Sequence, residues 1–115
     1  MKDSRLYLLH MRDSVRKILT YTEGLGREWS GQPMVLGAVC RNLEINGEAA
    51  NQLGASYRAL HPAVPWRKII GARNILIHAY DLVQPDILEE VVERDLPILR
   101  VQIEQLLKEA SPPAD

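Results

Sequence analysis

The chain has no phenylalanine and one cysteine, and aromatic residues make up only 5% of its 115 residues. Each scarcity removes a class of structure. A single cysteine allows no intrachain disulfide, so nothing points to an oxidising compartment. Cys40, set between Leu36 and Leu43 at helical spacing, reads as a buried thiol rather than a nucleophile. Without phenylalanine the core has to be built from Leu, Ile, Val and Ala, which suits helices. No apolar run approaches the roughly 20 residues of a membrane span. The start, Met1-Lys2-Asp3-Ser4-Arg5, lacks the apolar stretch of a signal peptide, so the expected location is the cytoplasm, away from any membrane. An excess of positive charge is also missing. The formal net charge of -1 argues against gripping nucleic acid by bulk charge, while leaving room for a locally basic site.

No segment alternates apolar and polar residues with period two, which leaves the helical period as the organising pattern. A first helix is expected from Asp3 or Ser4, either of which can cap it, to Thr22, ended by Gly24 and Gly26. Leu8, Met11, Val15, Ile18 and Thr22 form its seam; Arg12, Asp13, Arg16 and Lys17 read as a solvated face or as the lining of a cleft. Residues 24–32 read as a loop. A long second helix is then expected from Pro33 to His61, because Leu36, Cys40, Leu43, Gly47, Ala50, Gly54, Tyr57 and His61 alternate steps of four and three. Gly47 and Gly54 lie one heptad apart on that seam, as if another backbone packs very close there. Arg41, Glu44 and Glu48 make a polar column beside it. A third helix begins near Pro65-Trp66, and Pro85 opens a fourth, whose stripe from Leu88 to Leu106 must be kinked or divided at Pro97, with Asp95 as a cap. The expected architecture is a single all-α domain over residues 1–110, a bundle of four or five helices, with a disordered tail at 111–115.

The third helix carries the anomaly. At about 100° per residue, Trp66, Ile69, Ile70, Ala72, Ile75, Leu76, Ile77 and Ala79 spread over roughly 220°, too wide for an ordinary surface helix. Such a helix is covered from two sides, and in so short a chain the second cover is expected to be another copy, giving a homodimer. Arg73 falls near the middle of this arc. An unpaired buried cation is costly, so Arg73 should meet a carboxylate, with Glu48 the first candidate, an anionic ligand, or a partly wet interface.

Metal and cofactor chemistry find no support: His10, His61 and His78 share no ligand spacing, and there is neither a glycine-rich phosphate loop nor a nucleophile turn. An arginine, an amide and a histidine remain, in Arg73, Asn74 and His78. This set suits phosphodiester cleavage, where a histidine moves protons near neutrality and a guanidinium steadies the phosphoryl group. RNA would supply its own nucleophile, the 2′-hydroxyl. The geometry is less direct, since Arg73 and His78 stand about 140° apart on a straight helix. Either the helix bends or ends near His78, or the Arg73 side chain wraps round, or a dimer axis completes the site. The structural alternatives stand beside these readings: an ion pair for Arg73, a surface histidine for His78, a packed helix-end aromatic for Tyr80.

Arg73, four residues, His78, one residue and Tyr80 resemble the signature of the HepT-like branch of the HEPN superfamily, small all-α proteins that include bacterial ribonuclease toxins. The segments Leu43-Glu44-Ile45-Asn46-Gly47-Glu48-Ala49, Pro65-Trp66 and Asp95-Leu96-Pro97 look like that family at similar places, so nearly the whole chain is covered. Asn46 departs from the aliphatic residue the family often has there and is expected at the edge of the cleft. The resemblance implies a metal-independent endoribonuclease toxin of a type II toxin-antitoxin system, with RNA as substrate and Arg73 and His78 as the catalytic pair. Asn74 would be the polar residue that follows the arginine. It also implies a dimer with two motifs facing one cleft, and silencing when a minimal nucleotidyltransferase antitoxin attaches AMP to Tyr80. The competing expectation is a non-catalytic helical module that binds a nucleotidyltransferase or contributes to its substrate site.

Overall fold

The computed structural model describes residues 3–110, with the side chain of Tyr80 excepted. The tail at 111–115 lies outside the described residues. Six α-helices and no strand occur among them: α1 (Ser4–Thr22), α2 (Pro33–Gln52), α3 (Ala55–Leu60), α4 (Trp66–His78), α5 (Pro85–Glu90) and α6 (Leu96–Glu109). None of these helices is long and apolar enough to cross a membrane.

α1 forms as its sequence dictates. The Asp3 carboxylate accepts a hydrogen bond from Leu6 N–H, and Leu8, Met11, Val15 and Ile18 are fully buried. Its outer charges form a solvated face, where Arg12 pairs with Asp13 and Arg16 reaches Glu104 of α6 at 2.9 Å. Cys40 is buried in the core, as its spacing required.

The segment after α1 is not the open loop its composition predicts. Gly26–Gly31 coils into a 3₁₀ turn that drives Trp29 into the core at 1% exposure. Arg27 fastens this turn to α5 and the segment that follows it, forking onto Glu93 at 3.0 and 2.8 Å, and Ser30 Oγ donates to Glu89. The hydrogen bonds from Arg27 hold the Glu93 carboxyl below its ordinary range.

The second helix is shorter than its seam predicts. It ends at Gln52, and Gly54 turns the chain with a φ of 88°, a left-handed conformation that side chains resist, before α3 resumes. Arg58 of α3 then donates to the carbonyls of Ala50 and Asn51 at 3.2 and 3.0 Å, beside the Leu53 and Gly54 N–H groups that bond to the same oxygens, and so pins α3 to the end of α2. Gly47 fulfils the packing expectation. A Cβ there would collide with Arg73 Cβ and stand 3.0 Å from the Ile69 carbonyl oxygen, so α4 crosses α2 at this point.

Pro97 divides the last stripe as expected, but through a π turn rather than a cap. Over Val91–Asp95 the helix widens, and Leu96 N–H bonds back to Val91 C=O, five residues earlier. The wider turn makes room for the proline ring, which would otherwise press on the preceding turn. Asp95 makes no capping bond; its carboxylate pairs with Lys68 at 2.7 Å and ties α4 to α6.

Candidate active site

The crossing at Gly47 fixes the site. With no side chain at 47, the stem of Arg73 lies against α2, and its guanidinium emerges beside the next residue, Glu48. Arg73 Nη2 meets Glu48 Oε2 at 2.8 Å, and Nη1 donates to Asn74 Oδ1 at 3.1 Å. The side chains of Arg73 and Glu48 remain 29% and 44% exposed, so the pair is screened by water and can exchange partners. Gln52 Nε2 donates to the other carboxylate oxygen of Glu48 at 2.9 Å and steadies it.

Beside this pair runs a cleft of about 240 Å³ between α1, α2 and α4, bordered by Tyr7, His10, Arg41, Glu44, Glu48 and Arg73. Arg41 makes no ion pair among the described residues, which leaves a second guanidinium free to meet an anion.

His78 is placed differently. α4 ends there, with Ala79 leaving the helical conformation, and the exposed imidazole is not part of the wall of the Arg73 cleft. Of the options open from the sequence, the helix does end at His78, and the Arg73 guanidinium pairs with Glu48. One protomer brings Arg73, Asn74 and Glu48 together, and His78 does not line their cleft. Tyr80 opens a short 3₁₀ turn, Tyr80–Leu82, directly after the helix. Its side chain lies outside the described part of the structure.

Asn46 does not edge this cleft. It is buried at 2% exposure and lines an apolar cavity of about 370 Å³ on the opposite side of α4, where its Oδ1 has no hydrogen-bond partner among the described residues. The spacing explains this, since Asn46 and Gly47 lie about 100° apart on α2 and so face different sides of the crossing. The histidine that does share the cleft with Arg73 is His10, which has no partner at a metal-ligand spacing. Its signal was its position beside Tyr7, three residues earlier and off the apolar seam of α1. The two rings meet edge to face with centroids 6.0 Å apart.

The family described as ribonuclease HepT-like matches residues 11–106, a span that holds α2, α4 and the whole Arg73 motif. The chain belongs to the HepT-like ribonuclease family. Its relatives include a candidate RNase of Methanocaldococcus jannaschii, 32% identical over 104 residues, 90% of this chain and 95% of the relative. A candidate RNase of Caldanaerobacter subterraneus subsp. tengcongensis is 34% identical over 109 residues, 94% of this chain and 97% of the relative. A probable ribonuclease HepT of Thermococcus cleftensis is 42% identical over 71 residues, 62% and 64% of the two chains. No solved structure matches this chain. Membership of the HepT-like family makes ribonuclease activity the chemistry against which the cleft is to be read.

Proposed function

We propose that this HepT-like protein is a metal-independent endoribonuclease toxin of a type II toxin-antitoxin system. Arg73, Asn74 and His78 act on the scissile phosphodiester, the 2′-hydroxyl is the nucleophile, and the working form is a cytoplasmic homodimer. The observation that carries the reading is the partly exposed Arg73 guanidinium at a cleft, held by one carboxylate and one amide that an incoming phosphate can replace. Exchanging the Glu48 carboxylate for a phosphate substitutes one anion for another at nearly the same depth, so the guanidinium is never left unpaired. On the phosphate, its planar fork stabilises the charge that gathers as the 2′-oxygen attacks.

Silencing follows from the same charge logic. AMP joined to Tyr80 by a nucleotidyltransferase antitoxin places a phosphodiester two residues from His78, and Arg73 then has a competing anion. The second reading, a non-catalytic module that binds a nucleotidyltransferase, draws on His78 not lining the Arg73 cleft of its own protomer. The test is treatment with the nucleotidyltransferase and ATP. The reading expects one added adenylate by intact mass and loss of RNA cleavage, with Tyr80→Phe escaping both. Adenylate added without any change in cleavage would contradict it.

A further inference from the structure

Cleavage by the 2′-hydroxyl needs two proton transfers. The 2′-oxygen must lose a proton as it bonds to phosphorus, and the 5′-oxygen must gain one as the P–O5′ bond breaks and takes the electron pair. The products are a 2′,3′-cyclic phosphate and a 5′-hydroxyl. The attacking and leaving oxygens lie roughly in line on opposite sides of the phosphorus, so one imidazole cannot serve both in a single step. The motif on α4 offers one histidine, His78, and a second group is required.

We propose that His10 is that second proton-transfer group, facing across the α1–α2–α4 cleft a phosphodiester held by Arg73. His10 comes from α1 and Arg73 from α4, so the cleft brings histidine and guanidinium to different walls of one space. The other ionisable groups facing that space are Tyr7 on α1 and Arg41, Glu44 and Glu48 on α2. Arg41 adds charge that favours a phosphate. Glu48 is engaged by Arg73, and His10 is the one imidazole among the described residues that line the cleft. His10 is solvent-exposed and its ring is set edge to face against Tyr7, with no hydrogen bond to a backbone group among the described residues, so it is open to substrate. After the step each proton-transfer group has reversed its protonation, and water resets both.

The inference rests on the ribonuclease reading. Its test compares wild-type protein, His10→Ala and His78→Ala on ordinary RNA across pH, and on RNA with sulfur in place of the 5′-bridging oxygen, a leaving group that needs no proton. Helicity by circular dichroism checks that each variant folds. His10→Ala should lose roughly 10²–10⁴-fold on ordinary RNA, and its pH profile should lack one limb of the wild-type bell. Recovery on the sulfur substrate would make His10 the acid; loss of the acidic limb without recovery would make it the base. A folded His10→Ala with wild-type rate and both limbs intact would overturn the role of His10 while leaving the ribonuclease reading in place. Wild-type protein inactive on both substrates would overturn the two together.

Discussion

Arg73 is where position and chemistry conflict most sharply. It sits on the apolar arc of α4, yet its guanidinium reaches water because Gly47 lets its stem pass and Glu48 receives its charge. If Arg73 clamps the phosphate as proposed, replacing it with alanine should lower cleavage by roughly 10²–10³-fold, as for other single donors to a developing oxyanion. Lysine should recover little of it, because a point charge cannot make the two-pronged contact. Initial rates on a defined RNA, with folding checked in parallel, decide this; a folded Arg73→Ala at the wild-type rate contradicts it. The Arg73–Glu48 contact was legible in the sequence, since a cation on an apolar arc and a carboxylate beside a waist glycine call for one another. His10 was not. It belongs to the cleft only through the packing of α1 on α2, and periodicity within one helix carries no record of which neighbour its polar face meets.

Among the elements, α2 explains both what could be read and what could not. Gly47 and Gly54 look equivalent in the sequence, one heptad apart on an unbroken seam. They do opposite things: Gly47 lies under α4, whereas Gly54 turns the chain at a φ of 88°. The period survived the break because α3 resumes in helical conformation after a single left-handed residue, and a periodicity count does not see that residue's backbone. Gly47→Ala should push α4 away from α2 and cost about 1–3 kcal/mol, the range for overpacking a tight contact. It should also weaken cleavage by displacing Arg73. Urea unfolding measures the first effect, and an unchanged midpoint would show that the crossing is looser than its geometry states. The π turn before Pro97 was half legible: proline announces an interruption, but whether the chain kinks, stops or widens depends on packing around it. Trp29 belongs with these cases, because a glycine-flanked segment reads as loop until the core has space for its indole.

For the whole molecule, the helical bundle of the HepT-like family is what the composition and period foretold. The wide apolar arc of α4 finds only part of its cover within the chain, since Trp66 and Leu76 are buried while Ile75 and Ile77 remain 53% and 44% exposed. If a second copy supplies the rest, Ile75→Asp together with Ile77→Asp should convert a dimer to a folded monomer in sedimentation experiments. A wild-type protein that sediments as a monomer at micromolar concentration would remove the dimer from the account. A dimer would also bear on His78, which does not line the Arg73 cleft of its own protomer. The central claim is the chemistry itself, and one measurement reaches it most directly: RNA cleavage in excess EDTA by wild-type protein whose intact mass shows no added nucleotide, beside His78→Ala. The account predicts cleavage by the wild type that is lost in the variant; equal cleavage by both, or none by either across several RNAs, would contradict it.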